Sequence, residues 1–154
     1  MNAAYDKLIQ HLDDREIRYQ SDIDNQSICA YFNGSVGTYQ IVVWVGADDE
    51  LLQVFGHSPM VVPVGSRPAI AETVIRANWG LKVGKFCLNL DEGQLCFQAA
   101  QILSDDSLTD EVLQRLIGTT MAMLDHYLPA VLSVIYGNEV PKDAVRCVEA
   151  RPGE

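Results

Sequence analysis

NWGLKVGKFCLNLDEGQLCFQ, from Asn78 to Gln98, is the stretch on which the fold turns. Gly80, Gly84 and Lys85 echo a phosphate-binding loop. Such a loop leaves a strand, presents successive backbone N–H groups to the phosphates and enters a helix. Here the order is reversed. The segment before it, PAIAETVIRANWG, reads as a helix with Ser66 as N-cap, Pro68 in the first turn, an apolar stripe of Ile70, Val74 and Ala77, and Gly80 as a left-handed stop. Lys85 opens a strand. The glycine spacing is one residue short of G-x-x-x-x-G-K-[ST], and Phe86 stands where a magnesium-binding hydroxyl would be needed. Nucleotide binding through Lys85 is not expected.

The remainder, KFCLNLDEGQLCFQAA, reads as a β-hairpin. A two-residue turn at Glu92 and Gly93 sets Phe86, Leu88 and Leu90 on one face with Leu95, Phe97 and Ala99, and Cys87, Asn89, Cys96 and Gln98 on the other. In that register Cys87 and Cys96 are diagonal neighbours roughly 7–8 Å apart, beyond disulfide range. Cys29, Cys87, Cys96 and Cys147 include no Cys-x-x-Cys pair and are expected to stay reduced. His11, His57 and His126 fall in three different elements without metal-ligand spacing, so no metal and no cofactor are expected.

Upstream, Tyr5, Leu8, Ile9 and Leu12 form one face of a short helix. SICAYFN, TYQIVVWVG and LLQVFGH then read as three antiparallel strands. Asp48, Asp49 and Glu50 lie in a turn between the last two and read as a solvated hairpin tip. Along the middle strand Ile41, Val43 and Val45 point one way, Val42 and Trp44 the other. Both faces therefore need cover. Either the opening helix covers Val42 and Trp44, or a second chain does. These two residues are the candidate partner or dimer contact.

Downstream, Thr109 caps a long helix reaching Tyr136. Asp110 and Glu111 complement its positive end, Leu108 staples to Leu113, and Pro129 removes a hydrogen bond near Asp125. The expected fold is α+β, an antiparallel sheet in α-β-β-β-α-β-β-α order. Residues 1–137 read as a single domain and residues 138–154 as a polar C-terminal tail.

Totals bound the function. A chain of 154 residues buries about 70% of its unfolded surface, enough for one proper core. The apolar run MVVPV is too short to span a bilayer, which predicts no membrane partner. Eleven basic against 21 acidic residues give a net charge of −10, which repels a phosphate backbone and predicts no nucleic-acid partner. The N-terminal residues show no secretion signal, and the expected location is cytoplasmic.

RANWGLKVGKFCLNLDEGQLCFQ together with LTDEVLQRLIGTTMAMLDHYLPAVLSVIYG resembles the YbjN family, bacterial proteins described as sensory transduction regulators. The shared positions are Arg76, Ala77, Asn78, Trp79, Gly80, Leu81, Gly84, Phe86, Asp91, Gly93, Leu124, Asp125, Tyr127, Leu128 and Pro129. The resemblance spans residues 65–137 and departs after the hairpin turn, where members carry basic residues and this chain has CFQAAQ. It implies a fold like that of type III secretion chaperones, homodimerisation, and no enzymatic activity. The expectation is thus a non-enzymatic interaction or regulatory protein, with chaperone-like binding of a protein partner. The alternative is a small-molecule-binding protein or hydrolase using Asp125, His126 and Tyr127 with Arg76 and Asn78. Consecutive helical positions diverge by about 100°, so Asp125, His126 and Tyr127 do not converge on one substrate atom.

Overall fold

The computed structural model of the chain describes residues 3–46, 50–104 and 108–150. Asp48 and Asp49, read above as a hairpin tip, lie outside them. The elements run α1 (Ala3–Asp14), β1 (Gln20–Asp22), β2 (Ser27–Asn33), β3 (Thr38–Val45), β4 (Leu51–Val61), a 3-10 turn (Val64–Ser66), α2 (Arg67–Trp79), β5 (Lys85–Leu88), β6 (Gln94–Ile102), α3 (Asp110–Tyr136) and α4 (Pro141–Glu149). The six strands make one sheet in the order β1-β2-β3-β4-β6-β5. All its pairings are antiparallel.

Alternation along the strands decides which face is filled. On β3, Tyr39, Ile41, Val43 and Val45 are buried while the residues between them are not. Across the sheet, Ile28, Val43, Val54 and Ala99 lie in one row by register. Against this face packs the apolar stripe of α3, including Leu113, Leu124 and Val131, and the same core takes Leu8 and Leu12 of α1 and Ile70 and Ala77 of α2. A fully buried side chain of this kind contributes about 1.5–3 kcal/mol. The helices therefore share one side of the sheet.

Close approach of α3 depends on Gly56. A Cβ there would stand 2.5 Å from Cγ2 of Thr120 and 2.7 Å from Cδ1 of Leu124. Asp125, one residue further along α3, fastens the helix to the β2–β3 turn. Its carboxylate accepts N–H bonds from Ser35 and Val36, each 3.0 Å, and the hydroxyl of Tyr39 at 2.7 Å. Thr109 caps α3 as expected, its side chain accepting from the N–H of Val112, and Leu108 and Leu113 are both buried.

Several expectations are corrected. Gly80 has φ −96°, so the left-handed residue that redirects the chain is Gly84 at φ 76°, where a Cβ would collide with Phe97. Ser66 stands at the N-cap position without a side-chain cap bond, because the 3-10 turn already leads the chain into α2. The strand read as LLQVFGH continues through Pro59 to Val61 past an irregularity in its pairing with β6. A short strand β1 is added at the sheet edge. Residues after Gly137, read as a polar tail, contain α4, which buries Ala144 and Val145 against α2 and α3. Two apolar residues leave little trace in a sequence, yet they suffice once a helical layer waits to receive them.

The β5–β6 register is also shifted. Asn89 accepts from the N–H groups of Asp91 and Glu92 through its side chain, and the loop closes with Gly93 N–H on the Asn89 carbonyl. That arrangement places Cys87 directly opposite Cys96 and leaves Leu90 exposed in the loop. Cys87 and Cys96 are thus directly paired across the hairpin and not diagonal neighbours as expected, and all four cysteines are free in the structure. Burial, and then the neighbouring Cys87, push the Cys96 thiol up to about 12, where it is a weak nucleophile. Replacing Cys96 with alanine should lower stability by about 1 kcal/mol, in the usual range for a half-buried truncation. Urea denaturation measures that loss, and elemental analysis of the wild type should find no stoichiometric zinc.

Candidate functional site

Among the described residues no helix packs on the second face of the sheet. Strand pairing sets Cys29, Val42, Phe55 and Gln98 in one row, Ser27, Trp44, Gln53 and Ala100 in the next, and Tyr31 and Gln40 beside His57 and Cys96 in a third. Trp44 is 48% exposed and meets Phe55 edge to face, with ring centroids 6.4 Å apart. Tyr31 is 69% exposed. Val42 is half-buried, and neither it nor Trp44 belongs to the core cluster that takes up Tyr5, Leu8 and Leu12 of α1.

The chemistry of this face is distinctive in such an acidic chain. On β2, β3, β6 and the part of β4 from Leu51 to His57, no position facing this side is Asp, Glu, Lys or Arg. His57 is the titratable imidazole there. Burial lowers its pKa, which favours the neutral ring, and among the described residues its Nδ1 has no hydrogen-bond partner. Aromatic rings, a valine, thiols and glutamines make a surface with low desolvation cost. Charge stands at its edges, where Asp22 of β1 pairs with Ser27 and Lys85 of β5 with Gln98, so the central strands can be covered without stranding a charge.

Val42 and Trp44 were legible in the sequence because strict alternation inside an apolar strand exposes them. Tyr31 and Phe55 were missed. Their signal was present as the outward positions of SICAYFN and LLQVFGH, but only the register shows that they adjoin Val42 and Trp44.

The alternative polar cluster is not assembled. Asp125 is spent on the β2–β3 turn, and Asn78 exchanges two hydrogen bonds with the backbone of Phe86, 2.8 and 3.0 Å, tying the end of α2 to β5. Arg76 donates to Glu72 at 2.7 Å, an i, i+4 pair on its own helix. The Tyr127 hydroxyl donates to Glu149 of α4 at 2.8 Å, and burial with that carboxylate raises its pKa. His126 lies against the edge of the Tyr127 ring and lines a separate cavity with Lys82 and Met123. Among the described residues no group of three His, Cys, Asp or Glu side chains is placed to hold a metal, and no helix is long and apolar enough to cross a membrane.

An additional link lies at the other end of α3. His11 of α1 is buried, and its Nδ1 is 2.8 Å from Asp110. The hydrogen bond from His11, outweighing partial desolvation, lowers the Asp110 pKa. Sequence reading assigned Asp110 to the helix dipole alone, since nothing local predicts a partner on α1.

No curated protein matches the chain. A solved structure similar in fold is the crystal structure of YbjN from E. coli, described as "a putative transcription regulator", at 14% identity and a TM-score of 0.58, covering 77% of this chain and 84% of that one. Residues 4–133 match the YbjN family, whose description is "Putative bacterial sensory transduction regulator". With that match running from α1 well into α3, the chain belongs to the YbjN family.

Proposed function

We propose that this protein is a non-enzymatic regulator that works through protein contacts, and that the open sheet face pairs two copies of the chain. The observation that carries the reading is the absence of ionic side chains from the open positions of the central strands. A two-fold interface apposes one patch with its own copy, so a charge near the axis meets its own like charge, and one farther out is left unpaired unless the same patch carries its complement. In a chain of net charge −10, a patch without charge on its central strands favours self-association, whereas a partner of opposite charge would be met by an ionic surface. Trp44, Phe55 and Tyr31 supply the aromatic anchors that dominate such contacts. Apolar burial outweighs the residual repulsion, which physiological salt screens beyond about 8 Å.

The regulatory part of the reading draws on the family, and its cytoplasmic setting is the one in which free thiols at Cys29, Cys87 and Cys96 persist. Sedimentation equilibrium tests the pairing. Wild-type protein should be dimeric at micromolar concentration, and Trp44→Glu, which brings two carboxylates into the interface, should weaken association at least about a hundredfold, or about 2.7 kcal/mol. The variant should keep its wild-type circular dichroism because Trp44 lies outside the core. A wild-type chain that stays monomeric to about 100 µM, a weak limit for specific association, would end this reading.

A further inference from the structure

On the helical layer, away from the open sheet face, the end of α2 and one side of α4 border an open cleft of about 420 Å³. Its walls include Arg76, Trp79, Lys142, Arg146 and Glu149. Three of the chain's 11 basic residues thus converge against one carboxylate, although acidic residues outnumber basic ones almost two to one overall.

The cleft is not balanced from within. Glu149 is already engaged by the Tyr127 hydroxyl, and Arg76 uses its Nε on Glu72. Among the described residues the side chains of Lys142 and Arg146 have neither an ion-pair nor a hydrogen-bond partner. They stand four apart on the same short helix, an arrangement of like charges that costs a few tenths of a kcal/mol. Beside them Trp79 is 93% exposed, a large apolar ring left in water where the fold makes no use of it. Exposed indole next to unpaired cations is the pair of features that takes a flat ring by stacking and a negative group by charge-assisted hydrogen bonds. The volume lies within the range of small-molecule sites and is far below that of a macromolecular interface.

We infer that this cleft binds a small planar aromatic anion of the nucleoside monophosphate class, its ring on Trp79 and its phosphate on Lys142, Arg146 and the free guanidinium nitrogens of Arg76. The site is distinct from Lys85, which lies on β5 and does not line the cleft, and it is independent of pairing through the sheet face.

Isothermal titration of the full chain with adenosine and guanosine monophosphates, adenosine and inorganic phosphate decides the matter. At least one of the two nucleotides should give a saturable heat with a dissociation constant between about 10 µM and 1 mM. The double variant Lys142→Gln/Arg146→Gln should bind that nucleotide at least about tenfold more weakly, and Trp79→Ala at least about fivefold more weakly. The corresponding changes lie on exposed positions, so circular dichroism should be unaltered. Adenosine and phosphate alone should each bind more weakly than the nucleotide. No saturable heat up to about 5 mM, far above any useful affinity, would overturn the inference. So would unchanged binding in either variant, or inorganic phosphate binding as tightly as the nucleotide. None of these overturning results bears on dimerisation, which sedimentation reads separately.

Discussion

Replacing Gly56 with valine should destabilise the protein by about 4 kcal/mol or more, enough to unfold a domain of ordinary stability at 25 °C. The position lies on central strand β4, under α3, where even a methyl group would press on Thr120 at 2.5 Å and Leu124 at 2.7 Å. Neither neighbour can withdraw freely. Thr120 is β-branched, and its hydroxyl donates to the Leu116 carbonyl at 2.8 Å, fixing the rotamer that aims Cγ2 at the sheet. Leu124 is 1% exposed and belongs to the core cluster. The helix must therefore rise from the sheet, which loosens every contact along its apolar stripe. Gly56→Ala should cost less, about 2 kcal/mol, since alanine restricts the unfolded chain more than glycine and so offsets part of the clash. Thr120→Ser removes the offending methyl and should recover about 1 kcal/mol in the Gly56→Ala background, a coupling that urea-denaturation midpoints of the double-mutant cycle will read. Additive losses would mean that the helix seat is set elsewhere.

The same seat explains how far sequence could lead. The boundaries of α3 were legible because its start is signalled locally, by Thr109, two acids and a buried leucine pair, and its end by Gly137. The direction of each side chain on β3 was legible because alternation is a property of one strand. What was hidden depends on two segments meeting. The β5–β6 register was decided by the side chain of Asn89 folding back on the loop, a stronger constraint than the glycine at Gly93 that the turn was read from. Helix α4 is invisible without the α2–α3 surface on which Ala144 and Val145 rest. Which face of the sheet α1 would take was equally hidden, since Leu8 and Leu12 could pack on either side. The structure puts all the helices together, and the open face follows from that choice. The lack of charge on its central strands, by contrast, was written in the sequence at alternate positions of β2, β3, β4 and β6, but only the pairing shows that those positions are one surface.

Asp125 should prove the most sensitive polar position. Asp125→Ala withdraws the acceptor from three donors at once: the N–H groups of Ser35 and Val36 and the hydroxyl of Tyr39, a residue with no exposed surface. Leaving a buried donor without a partner costs about 1–3 kcal/mol, and the two turn amides can recover part of their loss from water. A destabilisation of about 3 kcal/mol is expected, together with faster hydrogen exchange in the β2–β3 turn. Asp125→Asn should cost about 2 kcal/mol, because its amide group keeps one acceptor oxygen but turns a donor towards donors. Acidity separates this role from simple packing. Burial acts to raise the Asp125 pKa, but the bonds from Ser35, Tyr39 and Val36 together outweigh it and hold the group below its ordinary 3.8. A carboxylate with a depressed folded pKa adds stability that is complete above its unfolded pKa and lost as pH falls through the folded one. The difference between wild type and Asp125→Asn should therefore be constant from about pH 5 to 7 and shrink below about pH 4. Thermal melts of both proteins across that range provide the measurement. A gap that stays constant down to about pH 2.5 would show that the charge on Asp125 does not hold the hairpin to the helix.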